Sequence, residues 1–368
     1  MDAAVKKLIV RHNGRTVGRL ADLDGRIGFQ YDREWLENGF SISPFSLPLS
    51  DKVFVCEKQT FGGLFGVFRD SLPDGWGELL FRRTLARRGV NADALSPLTR
   101  LSLVGETGLG GLRYEPDRSE TEEAELKDLD AVAREAGKIM EDRDADADLD
   151  EVYRLGGSSG GARPKVHLRI GEERWIVKFP CSFDGPDAGL REFRANALAR
   201  EAGLRTNEFR LFPSKSCSGY FGAKRFDRAG AESVHMVSLS SLLETSHTIP
   251  NLDYAHLFQV VDRICLDKED LYEAFARMCF NVLFGNKDDH GKNFAFLYDE
   301  TASGYRLSPA YDITKTRDKA EHEMAVGGKG NPSEDDMLSV ASDCGLNAGR
   351  CKTILKRTKE KVLDHSPH

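Results

Sequence analysis

No two cysteines of this 368-residue chain stand in a C-x-x-C pair, no apolar run approaches eighteen residues, and no internal repeat is visible. The seven cysteines, Cys56, Cys181, Cys217, Cys265, Cys279, Cys344 and Cys351, are odd in number and scattered, which argues against a zinc ribbon or a disulfide framework. Without a long apolar run no transmembrane helix is expected. The polar Met1-Asp2 start shows no signal peptide, so the expected compartment is the cytoplasm. Neither a Walker A loop nor G-x-G-x-x-G can be laid over the chain's Gly-rich stretch at 156–165, and no basic recognition helix for DNA is present. What remains is ample core material: 40% of residues are apolar and 21 are Phe. That suffices for two domains, or for one two-lobed domain with an accessory module.

The net charge of −7 is unevenly spread. Residues 117–151 hold fifteen acids against five bases, a net of −10, so the rest of the chain carries +3. The run Asp142-Arg143-Asp144-Ala145-Asp146-Ala147-Asp148-Leu149-Asp150-Glu151 closes this segment. It is expected as a solvated linker or helix face. The mild positive excess elsewhere suits nucleotide binding and does not point to nucleic acid.

The first hundred residues predict a β-rich module. Leu8 to Arg11, Thr16 to Leu20 and Arg26 to Tyr31 are strand-like, and Asn13-Gly14 and Asp24-Gly25 between them are hairpin turn pairs. The Gly-rich, aromatic stretch from Phe61 to Gly77 reads as a packed turn leading to a helix through Leu85. Further helices are expected at Leu129 to Met140, Leu190 to Ala202 and Glu334 to Ala341, and from Asn347 to Leu363. Leu271, Phe275, Met278, Cys279, Val282 and Leu283 fall on one face of another helix, which Gly285 ends. Val166 to Ile170, Trp175 to Phe179, Phe294 to Tyr298 and Tyr305 to Leu307 are expected strands.

The chemistry concentrates after that helix, in Gly285-Asn286-Lys287-Asp288-Asp289-His290-Gly291-Lys292-Asn293, followed by Pro309-Ala310-Tyr311-Asp312. An acid, an Asn five positions on, and an isolated Asp beyond a hairpin is the layout of a phosphotransfer site. In it Asp288 takes the proton of a hydroxyl, while Asn293 and Asp312 hold magnesium. Adjacent Asp288 and Asp289 point to opposite sides in extended backbone, so only one is expected to be catalytic. The spacing to Asn293 selects Asp288, and Asp289 reads as a loop-stabilising carboxylate. His290 has no second His nearby for a zinc site. Upstream, Gly156-Gly157-Ser158-Ser159-Gly160-Gly161-Ala162-Arg163-Pro164-Lys165 runs straight into a strand, as glycines that bring N–H groups to phosphates do. A flexible linker is its plainer reading. Lys178 closes the next strand, and Glu192 follows fourteen residues later on a helix, like the lysine–glutamate pair of protein kinases.

Gly156 to Lys165, Ile176 to Pro180, Gly285 to Phe294 and Leu307 to Ile313, in this order, resemble the signature segments of the HipA-like serine/threonine kinases, the toxins of bacterial toxin–antitoxin systems. The N-terminal hairpins and the stretch from Phe61 to Trp76 resemble that family's amino-terminal module. The resemblance implies an α+β, two-lobed protein-kinase-like fold with an N-terminal β-rich subdomain. Its divisions would be a β-rich module at 1–115, an acidic linker or helix at 116–151, a nucleotide-binding lobe at 152–230 and a mainly helical catalytic lobe at 231–368. It implies ATP contacts at Gly160, Gly161, Ala162, Arg163, Pro164, Lys165, Lys178, Lys224, Arg225, Phe226, His290, Gly291, Lys292, Asn293, Tyr311 and Asp312, with Lys224 to Phe226 as the adenine hinge. Asp288 would be catalytic, Asn293 and Asp312 would bind magnesium, and Ser158, or Ser159 beside it, would be autophosphorylated. Lys224 departs from the family, standing where an acidic residue is familiar. A translation-related protein substrate such as an aminoacyl-tRNA synthetase, growth arrest, and a helix-turn-helix antitoxin that carries DNA binding are also implied.

Two other classes compete with this expectation of an ATP- and magnesium-dependent protein serine/threonine kinase. A metal-dependent phosphohydrolase could use Asp288, Asp289, His290 and Asp312, but it leaves Lys178 and the Gly-rich loop idle. A catalytically silent corepressor would not need Asp288, Asn293 and Asp312 intact.

Overall fold

The computed structural model describes residues 4–121, 128–142 and 147–364. Met1-Asp2 and residues 143–146 of the acidic run, on which expectations fell, lie outside the described residues. The chain divides into two units. The first is Met1–Leu190 with Phe209–Val237 and Ser241–Thr245, and the second is Arg191–Glu208 with Ser238–Ser240 and Ser246–His368.

The first unit opens with antiparallel strands Lys7–His12, Arg15–Leu23 and Arg26–Tyr31. Short strands Phe54–Val55 and Arg113–Glu115 flank them in a five-stranded sheet. Both turn pairs behave as their chemistry requires. Asn13 and Gly14 sit at φ 45° and 78°, and Asp24 and Gly25 at 52° and 88°. Left-handed backbone at both central residues twists a two-residue hairpin to match its strands, and Asn, Asp and Gly adopt it at least cost. Val10, Val17, Leu20 and Phe29 bury the inner face of the sheet.

A second antiparallel sheet follows in the order Lys165–Ile170, Glu173–Lys178, Tyr220–Lys224, Phe209–Phe212. Val166, Leu168, Trp175 and Val177 project from it into a core shared with Trp76, Leu80, Phe81 and Leu85 of helix Gly75–Arg87. Two helices in and just after the acidic segment also line that core. Helix Leu129–Met140 contributes Val132, Ala136 and Ile139, and helix Leu149–Gly156 contributes Leu149, Val152 and Leu155. Each large apolar side chain so buried contributes roughly 1.5–3 kcal/mol. Some of the acids start these helices: Asp128 accepts from Ala131 N at 3.0 Å and Asp148 from Glu151 N at 3.0 Å. A carboxylate at a helix N-terminus satisfies a backbone donor and complements the dipole. Two packed, acid-capped helices thus stand within and at the end of the acidic stretch.

In the second unit, helix Glu269–Phe284 packs against Tyr254–Ile264, Glu334–Asp343 and Ala348–Asp364. Leu271, Phe275, Met278 and Cys279 are buried, while Val282 and Leu283 are half-buried. Gly285 ends the helix at φ 81°, its N–H donating to Asn281 O at 3.0 Å. Strands Ala295–Asp299 and Gly304–Leu307 form the hairpin that returns toward Asp312. The sequence reading did not anticipate helices Arg33–Asn38, Leu149–Gly156 or Tyr254–Ile264. The last starts with a capping box closed by His256 in place of the usual Glu or Gln, so its start signal is unfamiliar. No helix among the described residues is long and apolar enough to cross a membrane.

Candidate phosphotransfer site

Ending helix Glu269–Phe284 at Gly285 delivers the next residues as a loop. Asn293 Nδ2 closes that loop by donating to Asp288 O at 2.7 Å. The five-residue spacing is therefore a physical ring. With its amide nitrogen engaged there, the remaining acceptor of the Asn293 side chain is its oxygen, a hard donor of the kind a metal takes. The two aspartates diverge as extended backbone requires. Asp288 leaves 45% of its side chain exposed, whereas Asp289 leaves 0%.

Asp289 is a buried organiser. It accepts from Tyr254 Oη at 2.8 Å, His322 Nδ1 at 2.9 Å, Glu323 N at 3.0 Å and, more weakly, Met324 N at 3.4 Å. Tyr254 Oη in turn accepts from Asn281 at 2.9 Å, and Asn286 donates to Asn281 Oδ1 at 2.9 Å. Asp289 thus ties the loop to two helices and to the segment around residue 323. His290 stacks obliquely on His247 at 5.1 Å.

Asp312 sits at φ 53°, in the left-handed region that Asp tolerates better than most residues. The segment before it is held by charged side chains, most of them buried. Asp270 pairs with Arg205 and accepts from Leu307 N at 2.9 Å, and Arg277, paired with Glu273 at 2.8 Å, donates to Ser308 O. Ala310 N donates to Arg205 O at 2.7 Å. Tyr311 Oη reaches Lys292 O at 2.6 Å, linking the Asp312 segment to the short turn Gly291–Asn293. Asn293 and Asp312 can offer hard oxygen ligands, which suits magnesium. That ion takes one or two protein carboxylates and fills its octahedron with phosphate and water. Among the described residues no group of three or more His, Cys, Asp or Glu could hold a metal ion.

In the first unit the Gly-rich stretch is a turn pinned to the start of helix Gly75–Arg87. Trp76 N donates to Gly161 O at 2.8 Å, Trp76 Nε1 to Lys165 O at 3.1 Å, and Gly161 N to the Asp74 carboxylate. A side chain at Gly77 would strike Ser159 O at 2.2 Å, so this close approach demands glycine. The linker reading fails here. Gly161, at φ 76°, and Ala162 are exposed, and the N–H groups of Gly160 and Ala162 donate to nothing among the described residues. Lys165 Nζ donates to Gly160 O, and Arg163 forms a two-pronged pair with Asp184, both contacts at 3.0 Å. Pro164 O accepts from Phe179 N at 2.8 Å. Lys178 is half-buried, its ammonium 5.7 Å from the Phe221 ring centre. Glu192 is buried.

In the segment expected as the adenine hinge, the side chains of Lys224 and Arg225 are engaged within the protein. Arg225 is fully buried, donating to Asp227 at 2.9 and 2.7 Å, to Thr107 O at 2.8 Å and to Gly108 O at 2.8 Å. Asp227 also takes Arg228 and Gly110 N. The two cations outweigh burial and hold its carboxyl well below the usual range. Lys224 pairs with Glu173 across the sheet. The Arg225 guanidinium is thus spent inside the protein, and its backbone N–H donates to Arg174 O at 2.7 Å. The lysine in place of an acid answers to Glu173.

Lys319 escaped the sequence reading. Its ammonium pairs with Asp288 and with Glu323 at 2.8 Å. Burial lowers its pKa, but hydrogen bonds to the two carboxylates outweigh that and raise it overall. Asp74 was also missed, because both residues reach their partners only through the folded chain.

The mixed helix-and-sheet fold and the loop around Asp288 define a kinase-like protein. Residues 157–366 match the HipA-like C-terminal domain and residues 8–115 the HipA N-terminal domain, so the chain belongs to the HipA-like kinase family. It is 27% identical over 347 residues to Y4mE of Sinorhizobium fredii, which is named as a candidate kinase, covering 85% of this chain and 78% of that protein. The similarly named Y4dM of the same organism is 26% identical over 334 residues, with the same coverage. The fold is shared with HipA of Shewanella oneidensis, solved with HipB and its operator DNA. That likeness has a TM-score of 0.70 at 19% identity and covers 98% of this chain and 92% of that one.

Proposed function

We propose that the protein is an ATP- and magnesium-dependent protein serine/threonine kinase of the cytoplasm. The observation that carries this reading is the ring Asp288–Asn293, which turns one aspartate outward while burying its neighbour. Asp288 orients an acceptor hydroxyl and takes its proton as the new oxygen–phosphorus bond forms and the bond to the ADP oxygen breaks. Asn293 and Asp312 would hold magnesium, which would neutralise the nucleotide phosphates. Gly160 to Lys165 and Lys178 are assigned to the ATP phosphates, the backbone of Lys224 to Phe226 to the adenine, and His290, Gly291, Lys292 and Tyr311 to the surroundings of the metal and nucleotide. A phosphohydrolase built on Asp288, Asp289, His290 and Asp312 is disfavoured, because Asp289 is enclosed by four donors and unable to meet a metal or substrate.

The regulatory target is Ser158, with Ser159 as the alternative. A phosphate adds roughly −1.5 to −2 charges to a loop assigned to ATP phosphates, so the modified protein should bind ATP poorly. Family membership supports a translation-related substrate such as an aminoacyl-tRNA synthetase, growth arrest on its modification, and a helix-turn-helix antitoxin through which DNA is bound. The test is incubation with labelled ATP and magnesium followed by mapping of the phosphosite. Phosphate on serine is expected, and absence of any transfer, to itself or to protein substrates, would refute the reading.

A further inference from the structure

Ser158 and Ser159 are only 3% and 1% exposed. They differ in what holds them. Ser159 Oγ donates to a backbone carbonyl, Gly156 O, at 2.6 Å. Ser158 lies inside a chain of side chains whose polarity can be assigned link by link. Thr121 Oγ1 donates to Val104 O at 3.0 Å, so it accepts from Thr107 Oγ1 at 2.9 Å. Thr107 has then spent its only proton, and it must accept from Ser158 Oγ at 2.6 Å. On the other side Arg225 Nη1, which can only donate, meets His167 Nδ1 at 3.1 Å. His167 is therefore protonated at Nε2, which faces Ser158 Oγ at 3.3 Å and Ser159 Oγ at 3.4 Å. Burial, and then the charges of Arg225 and Arg228, push the His167 pKa well below its ordinary value, so the ring is neutral and one proton defines its direction. Ser158 Oγ thus has its proton held by Thr107 and a lone pair held by His167.

We infer that Thr107 and His167 form a latch on Ser158, withholding its hydroxyl from phosphate transfer and setting the rate at which the loop becomes modifiable. This rests on the reading of Ser158 as the autophosphorylated residue. The latch is anchored outside the loop. Thr107 belongs to the segment 106–110, whose carbonyls Arg225 and Arg228 clamp. His167 belongs to strand Lys165–Ile170. The loop can release Ser158 only by breaking both contacts, since neither anchor can follow it. Anything that shifts segment 106–110 would unlatch the serine from a distance. Thr107 and His167 are positioning residues in this scheme and touch no nucleotide.

The test uses the full-length protein with Thr107→Val, which keeps the shape and deletes the acceptor, and Thr107→Ser, which keeps it. Amide hydrogen exchange over residues 156–165 reads loop release without any chemistry. Mass spectrometry reads phosphate on Ser158 after incubation with ATP and magnesium. Thr107→Val should raise both rates by about tenfold, the scale of one lost buried hydrogen bond, and Thr107→Ser should stay within about twofold of wild type. Unchanged exchange in Thr107→Val overturns the latch. Faster exchange with no phosphate on either serine, in wild type and variant alike, sinks instead the autophosphorylation reading on which it rests. Faster exchange with phosphate gained on Ser159 alone refutes Ser158 as the controlled residue.

Discussion

Replacing each of the adjacent aspartates with Asn should separate chemistry from architecture. The Asp289 carboxylate is fully enclosed and accepts from Tyr254, His322 and two backbone amides. An Asn there keeps one acceptor oxygen and presents an NH₂ group to donors. At least two buried donors lose their partner, each at about 1–3 kcal/mol, so a loss of roughly 3–5 kcal/mol is expected. That is a large share of the ~5–15 kcal/mol typical of a whole protein. Asp288 is different. Its pair with Lys319 is 45% and 30% exposed on the two sides, a setting in which ion pairs contribute about 0–1 kcal/mol. Asp288→Asn should melt close to wild type, bind ATP normally and lose about 10²–10⁴ in phosphotransfer rate. Urea unfolding and labelled-ATP transfer, measured on both variants, decide the matter. Equal destabilisation by the two changes, or a wild-type transfer rate in Asp288→Asn, would refute the assignment.

Asp312→Ala should weaken ATP binding in magnesium and leave binding without magnesium unchanged. Calorimetric titrations that match wild type in both conditions would count against a metal role. Lys319→Met should lower the transfer rate about tenfold or more by freeing the Asp288 carboxylate from its only ammonium partner among the described residues, with ATP affinity held, and Lys319→Arg should recover part of it. Protein purified after expression should carry phosphate on Ser158 or Ser159, whereas the Asp288→Asn protein should carry none, as read by intact-mass analysis. Burial, with a smaller contribution from His12, pushes the His235 pKa down to about 3. Its neutral form is thus favoured by folding, and the stability it confers is full above its unfolded value near 6.5 and is lost as pH falls from there toward 3. The loss is about 1.4 kcal/mol per pH unit, so His235→Phe should show a shallower fall in urea midpoint between pH 6.5 and 4.5.

Much of the scaffold was legible locally. The two hairpins were visible because Asn-Gly and Asp-Gly tolerate the left-handed backbone that a tight turn needs, and helix Glu269–Phe284 because its apolar residues repeat at the helical period. The loop after it was legible because Gly285 must end the helix and because five residues separate Asp288 from Asn293. The helices of the acidic segment were half legible: Leu129–Met140 was expected, but Leu149–Gly156 was hidden behind a run of acids that double as caps.

The sequence by itself determined which residue types stand where chemistry needs them: two carboxylates and an amide at kinase spacing, a glycine turn before a strand, and a serine pair within it. Only the tertiary structure decided how those groups are used. It buried Asp289 and left Asp288 exposed, gave Asp288 the ammonium of Lys319 from 31 residues away, spent Arg225 on Asp227 and two loop carbonyls, and closed Ser158 between Thr107 and His167. The reason is physical. Backbone preferences and periodicity act over a few residues and are written locally, whereas burial and partner choice depend on which distant segments arrive at the same place, and a charged or hydroxyl side chain is defined chemically by what meets it there.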